Sequence, residues 1–138
     1  MLRRALAYLW ASPNTLLGLC LALAAVFTRG RGRMVDGVLE VHGGVVSFVL
    51  RRLPVGAGGA AAMTVGHVVV GLDLERLART RFHERVHVAQ YERWGPLFLP
   101  AYALSSLWCL CTGRRPYRDN AFEREAYAAE AAHFGAGD

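Results

Sequence analysis

The stretch His-Glu-Arg-Val-His (HERVH) at residues 83–87 lies in a longer segment, residues 72–94, whose apolar residues recur at helical spacing. At about 3.6 residues per turn, His83 and His87 fall on one face of that helix, about 6 Å apart. Two imidazoles at this spacing can bind one metal ion, and zinc is the usual metal for this pattern. Glu84 is rotated about 100° from His83, so it can accept a proton from a metal-bound water rather than bind the metal.

A third metal ligand is expected from a later helix, predicted at residues 121–133, which carries acidic residues in its first turns. This helix offers Glu123 and Glu125. We predict that Glu123 is the ligand and keep Glu125 as the alternative. The longer histidine motif of metzincins is excluded because Gln90 and Arg93 stand where that motif requires Gly and His.

The N-terminal segment is both apolar and basic. Residues 5–27 contain no charged residue, and residues 1–33 hold five arginines and no acid, which accounts for the whole net charge of +5. An apolar run flanked by basic residues favours an anionic lipid surface, so we predict a membrane anchor at residues 1–33 and a second domain at residues 34–138. Whether the anchor spans the membrane or lies in its interface stays open. A cleaved secretory signal and a buried N-terminal helix are the other possibilities.

Composition excludes several classes of protein. The chain has 138 residues, enough for one hydrophobic core, and its 54% hydrophobic and 20% charged residues exclude a disordered protein. The positive charge is confined to one end and no nucleic-acid-binding motif accompanies it, so we expect no nucleic-acid partner. The three cysteines lack the CxxC spacing and lie in apolar runs, which indicates neither a disulfide framework nor a cysteine metal site.

The remaining segments predict an α+β fold. Residues 38–42 and 45–50 are short β-rich runs separated by Gly43-Gly44, which predicts a hairpin with a two-residue turn. A flexible loop at residues 55–62 and a third strand at residues 63–70 follow. We therefore expect a short antiparallel sheet of about three strands, followed by the HExxH helix, an apolar helix at residues 97–111 and the third-ligand helix, with a hydrophobic helix at the N-terminus.

An HExxH helix followed by a glutamate helix resembles the gluzincin metallopeptidases, particularly membrane-linked members whose later helix reads E-x-x-A-[DE]. Residues 123–126 match this pattern, whereas Tyr127 stands where an acid is usual. The sequence HERVHVAQ is also similar to small bacterial zincin-like domains with the motif HExxHxxQ. The resemblance covers about residues 63–130. It implies a zincin-like metallopeptidase domain within residues 34–138, with one Zn²⁺ ion bound by His83, His87 and Glu123.

The expected function is hydrolysis of peptide bonds by a membrane-associated zinc metallopeptidase, through a zinc-bound water activated by Glu84. The expected partners are a peptide or protein substrate and a lipid surface, at the cytoplasmic side of a bacterial inner membrane. One alternative is a non-catalytic zincin-like module that keeps the metal at the membrane surface. Another is a structural membrane-surface protein in which the motif is accidental.

Overall fold

The fold combines one four-stranded sheet with helices. A computed structural model describes residues 2–55 and 59–135. In chain order the elements are α1 (Leu2–Phe27), β1 (Arg31–Val35), β2 (Val38–His42), α2 (Gly44–Leu50), β3 (Ala62–Val65), β4 (Val68–Gly71), α3 (Leu74–Trp94), a 3₁₀ turn (Gly95–Leu97), α4 (Phe98–Cys111) and α5 (Ala121–Gly135).

The sheet is mixed. Its strand order is β1-β2-β4-β3, with β2 and β4 parallel and the two outer pairs antiparallel. The predicted α+β class is confirmed. The predicted antiparallel sheet of about three strands is wrong in strand number and in the direction of the central pair. Because β4 pairs with β2, β3 becomes an edge strand, and α3 packs beside it.

The strand predicted at residues 45–50 is a helix, α2, so the hairpin predicted around Gly43-Gly44 is wrong. Both edges of β2 are occupied, one by β1 and the other by β4, and no edge is free to pair with these residues. As a helix the segment places Val46 and Leu50 on one buried face. Gly43 and Gly44 have φ values of 85° and 57°, which glycine adopts without steric cost.

The single strand predicted at residues 63–70 is two strands. Gly66 and His67 form a two-residue turn that places Val65 opposite Val68. Gly66 has a φ of 64°, and its backbone lies so close to Thr15 of α1 that a side chain there would clash. The loop predicted at residues 55–62 ends earlier than expected because β3 begins at residue 62; residues 56–58 of that loop lie outside the described residues.

The three helices predicted after the sheet are present as α3, α4 and α5, each beginning and ending within two residues of the prediction. Asp73 begins α3, and its side chain accepts a hydrogen bond from the backbone N–H of Arg76 at 2.8 Å. Asn120 precedes α5 and accepts from the backbone N–H of Phe122 at 2.9 Å. These local caps explain why the helix boundaries are readable from the sequence.

Helix α1 packs against the sheet through small residues. Its buried residues are Ala11, Asn14, Gly18, Ala22 and Ala25. Gly18 lies directly against Val65 and Val68, where a side chain would clash. The predicted boundary at residue 33 falls inside β1, which pairs with β2 along its whole length. The N-terminal helix and the first strand therefore both belong to the sheet's packing.

Helix α1 continues through Pro13. Proline has no N–H, so it leaves the carbonyl of Leu9 without its helical donor. The hydroxyl of Ser12 donates to that carbonyl oxygen at 2.7 Å. The side chain thereby satisfies the acceptor that the proline leaves open.

A buried carboxylate joins β1, β2 and α3. Glu40 is 2% exposed and accepts from Arg81 Nε at 2.7 Å and from Arg33 Nη2 at 3.1 Å. Burial alone would raise the pKa of Glu40, but the hydrogen bonds and charges of Arg81 and Arg33 outweigh it and lower the pKa below its usual value. This ion pair holds the HExxH helix in place on the sheet.

Two helical stretches, Leu2–Phe27 and Leu74–Cys111, are long and apolar enough to cross a membrane. The charged residues of the second stretch lie between residues 75 and 93. Its apolar part is therefore residues 94–111, which include α4. Many large apolar side chains on α1 and α4 are exposed.

Candidate metal site

Helices α3 and α5 bring three buried side chains together: His83, His87 and Glu123. The Nε2 atoms of the two histidines are 3.2 Å apart. Glu123 Oε2 lies 3.2 Å from His83 Nε2, and Glu123 Oε1 lies 3.4 Å from His87 Nε2. The spacing of the motif accounts for the histidine pair, and the packing of α5 on α3 adds the carboxylate.

These distances fit a metal site. Ligand atoms at 2.0–2.1 Å from a tetrahedral zinc ion lie about 3.3 Å from one another. Here the two histidine Nε2 atoms are 3.2 Å apart, and each lies 3.2 to 3.4 Å from one of the two oxygens of the Glu123 carboxylate. Two imidazole nitrogens and a carboxylate also form a donor set typical of such sites. The residues present therefore suit a metal ion both in spacing and in chemistry.

Gln90 fixes the orientation and tautomer of His87. The Oε1 atom of Gln90 lies 2.8 Å from His87 Nδ1. The Nε2 group of Gln90 donates to the carbonyl of Phe122 at 3.0 Å and to Glu125 Oε2 at 3.1 Å, so its oxygen must face the histidine. His87 therefore carries a proton on Nδ1, and its Nε2 atom faces the site.

The Nδ1 atom of His83 is buried and has no hydrogen bond to the part of the chain that the structure describes. Glu130 Oε2, two turns after Glu123 on α5, lies 3.4 Å from it. Tyr127, at the position where gluzincins have an acid, packs its ring on His83 with ring centroids 4.7 Å apart. The carboxylate beside His83 thus comes from one turn further along the helix.

Glu123 is held by its surroundings. The hydroxyl of Tyr102 on α4 donates to Glu123 Oε1 at 2.7 Å. Burial alone would raise the pKa of Glu123, but hydrogen bonds from His83 and His87 outweigh it and lower the pKa to about 2. The carboxylate is therefore ionised throughout the physiological range, as a metal ligand must be.

Glu84 is buried beside the three residues and lies on the wall of an adjoining cavity. Thr64 on β3 donates to Glu84 Oε2 at 2.7 Å, which orients the carboxylate. Burial raises the pKa of Glu84 above its usual value, and the Thr64 hydrogen bond and the histidine charges only partly oppose this. A carboxylate in such a position can exchange a proton with a molecule in the cavity.

Glu125, the alternative third ligand, is not brought to the site. Its carboxylate accepts from Arg93 Nη2 at 2.6 Å and from Gln90 Nε2. Glu123 and Glu125 are two residues apart on α5, so their side chains leave the helix in different directions. The carboxylate of Glu125 instead holds Gln90, which in turn contacts His87.

An apolar cavity of about 340 Å³ lies beside the three residues. Glu84, His87 and Glu123 line the end of the cavity beside the site, and Thr64, Ser106 and Tyr117 are further polar lining residues. Among its apolar lining residues are Leu53, Val55, Met63, Val65, Phe98 and Leu99. The site is thus open to a ligand that combines a polar group with an apolar side chain.

Tyr102 and Glu130 were not predicted as site residues. In the sequence, Tyr102 is one aromatic residue in an apolar helix, and Glu130 is one acid in the last turns of α5. The packing of α4 and α5 on α3 places both beside the predicted ligands. The one sequence signal for Glu130 was its spacing of seven residues from Glu123, which places both on the same helix face.

Comparisons of this chain with protein-family models, with curated proteins and with solved structures give no match. The similarity to gluzincins therefore stays a resemblance based on the motif and the glutamate helix. The functional argument depends on the geometry of the site.

Proposed function

We propose that this protein is a membrane-associated zinc peptidase in which His83, His87 and Glu123 bind one Zn²⁺ ion and Glu84 is the general base. The observation that carries the proposal is a group of three buried side chains beside a cavity lined by Glu84: the histidine Nε2 atoms are 3.2 Å apart, and each lies 3.2 to 3.4 Å from a carboxylate oxygen of Glu123. Motif, donor chemistry and cavity all support hydrolysis of a bound peptide.

Zinc is the metal that this donor set favours, because borderline imidazole nitrogens and one carboxylate match its ligand preference. A zinc ion held there would polarise a carbonyl group and lower the pKa of a bound water to about 7. His87 is already in the tautomer that presents Nε2 to a metal, because Gln90 holds its Nδ1 proton.

Glu84 has the position required of the base. It follows His83 directly, so the helix turns it away from the ligand atoms, and its side chain lines the cavity where a peptide would bind. Thr64 holds one of its two oxygens. A carboxylate that is oriented but not ligated can take a proton from water and pass it to the leaving amine.

Membrane association is supported by α1 and α4. Among the exposed large apolar residues are Leu16, Leu23 and Phe27 on α1 and Leu104 and Trp108 on α4. Arginines lie near both ends of α1. Apolar helices flanked by basic residues suit an anionic bilayer, and the arginines after α1 favour the cytoplasmic side of a bacterial inner membrane.

The test is a pair of measurements on Glu84→Gln: zinc content, and cleavage of a peptide library followed by mass spectrometry. We expect the variant to keep its zinc and to lose about 10²–10⁴-fold in cleavage rate, the usual contribution of a general base. Glu75→Gln, an exposed glutamate on the same helix, is the matched control and should cleave as the wild type does.

Two results would contradict the proposal. If the wild-type chain binds zinc and cleaves no peptide, the protein is a non-catalytic metal-binding module. If Glu84→Gln cleaves as fast as the wild type, another group is the base.

A further inference from the structure

Helix α4 separates the cavity from an exposed apolar surface. Phe98, Leu99 and Tyr102 on α4 line the cavity. Further along the same helix, Leu104 and Trp108 are 67% and 68% exposed. Leu99 belongs to both regions, since it lines the cavity and is 39% exposed. One helix therefore forms the cavity wall on one face and an apolar outer surface on the other.

The cavity itself selects for an apolar group. Its volume of about 340 Å³ exceeds that of a single bulky side chain, most of its lining is apolar, and Glu84, His87 and Glu123 line the end beside the metal site. A peptide bond at that end would direct a neighbouring side chain into the apolar part. A polar side chain there would lose its hydrogen bonds to water without replacement.

The outer face of α4 suits lipid rather than water. Residues 94–111 contain no charged residue. Helix α1, which also has an exposed apolar surface, contacts the 3₁₀ turn just before α4. There Asn14 Nδ2 donates to the carbonyl of Gly95 at 2.8 Å. The basic residues near both ends of α1 add an attraction to anionic headgroups. Together these features favour a bilayer as the occupant of this surface.

We infer that the cavity binds a bulky apolar side chain of a polypeptide that is itself held at the membrane surface, and that cleavage occurs beside that side chain. The inference rests on the proposed function, because the peptide bond must lie at the zinc end of the cavity. It adds the substrate class: apolar segments of membrane-borne polypeptides. The observation that carries this inference is the proximity of the cavity to the exposed apolar face of α4.

The preference of the cavity for an apolar side chain is tested by measuring the binding of probes, which does not require catalysis. The probes are short peptides capped with a zinc-binding hydroxamate that differ only in one side chain: glycine, aspartate or phenylalanine. On the zinc-loaded full chain we expect the phenylalanine probe to bind about 10–100-fold more tightly than the glycine probe, the usual gain from burying such a side chain. The aspartate probe should bind no better than the glycine probe.

The matched variants are Leu99→Trp, which narrows the cavity, and Leu104→Trp, which adds the same side chain to an exposed position of the same helix. Leu99→Trp should abolish the preference for phenylalanine, and Leu104→Trp should keep it. Equal affinities of all three probes for the wild type would overturn the inference while leaving the zinc site intact. Failure of every probe to bind would overturn the zinc site and the inference together.

The membrane origin of the substrate is tested with one phenylalanine-containing peptide in two forms, one soluble and one anchored by a lipid chain in phosphatidylglycerol vesicles that also carry the protein. We expect the anchored form to be cleaved at least about tenfold faster, because attachment to one surface raises its effective concentration. Equal rates for both forms would overturn the membrane origin and indicate a soluble substrate.

Discussion

The Nδ1 atom of His87 lies 2.8 Å from the Oε1 atom of Gln90, and the Gln90 side chain is completely buried. Gln90 is itself held by the carbonyl of Phe122 and the carboxylate of Glu125, both on α5. The glutamine therefore connects the helix that carries the histidines with the helix that carries Glu123, and it sets the protonated nitrogen of His87.

Replacement of Gln90 by methionine, which has similar volume and no amide, should lower zinc affinity about 10–100-fold, because His87 loses the acceptor that orients its ring. Competition with a zinc chelator measures the change. Glu125→Gln is the control: it keeps an acceptor for Gln90 and should change zinc affinity much less. Unchanged zinc affinity in Gln90→Met would show that Gln90 does not position His87.

Glu130 should have the corresponding role for His83, whose Nδ1 atom lies 3.4 Å from the Glu130 carboxylate. Glu130→Ala should weaken zinc binding about tenfold, since a carboxylate beside a ligating histidine raises its basicity and fixes its ring. Glu130→Gln, which keeps an acceptor, should recover part of that loss. If Glu130→Ala binds zinc as tightly as the wild type, His83 is oriented by packing against Tyr127 instead.

The ion pair of Glu40 predicts a pH-dependent contribution to stability. Because the folded state lowers the pKa of Glu40, its stabilisation is complete above the unfolded-state pKa and is lost as the pH falls through the folded-state value. Glu40→Gln should lower the free energy of unfolding at pH 7 by about 2 kcal/mol, since it removes the negative charge that accepts the hydrogen bonds of Arg81 and Arg33. Denaturant titrations at pH 7, 5 and 3 should show the difference between the two proteins shrinking at the lowest pH. A difference that stays constant with pH would contradict the role of the charge.

Helix α1 should be required for folding as well as for membrane contact. Gly18→Leu places a side chain against Val65 and Val68 and should destabilise the protein by about 3 kcal/mol. Leu17→Ala, one residue earlier on the exposed face, should cost less than about 0.5 kcal/mol. Thermal unfolding in detergent compares the two.

Removal of residues 1–33 should abolish the cooperative unfolding transition of the remaining chain. A truncated chain that unfolds as the full chain does would show that α1 is a separate anchor.

The helices and the ligand histidines were predictable because their signals are local. Apolar residues at helical spacing, Asn120 at the start of α5 and the four-residue spacing of His83 and His87 are all contained in short segments. Glu123 followed from ligand chemistry, because a later helix with acids in its first turns could supply a carboxylate.

The strands were less predictable because their pairing is not local. The segment of β1, RGRMV, is an exposed edge strand without apolar alternation, so it carries little strand signal. The apolar run at residues 45–50 fits a strand or a helix equally well, and the choice is made by β2, whose two edges are already paired. Tyr102 and Glu130 likewise reach the site only through packing between helices.

The central claim is that His83, His87 and Glu123 form one metal site. The zinc content of the purified full-length chain tests this claim most directly. We expect one zinc ion per chain in the wild type and in Glu84→Gln, and none in His83→Ala, because one imidazole and one carboxylate hold zinc too weakly to survive purification. Glu123→Gln should lose more zinc than Glu125→Gln. Undiminished zinc in His83→Ala would contradict the metal site, and a greater loss in Glu125→Gln than in Glu123→Gln would contradict the third ligand.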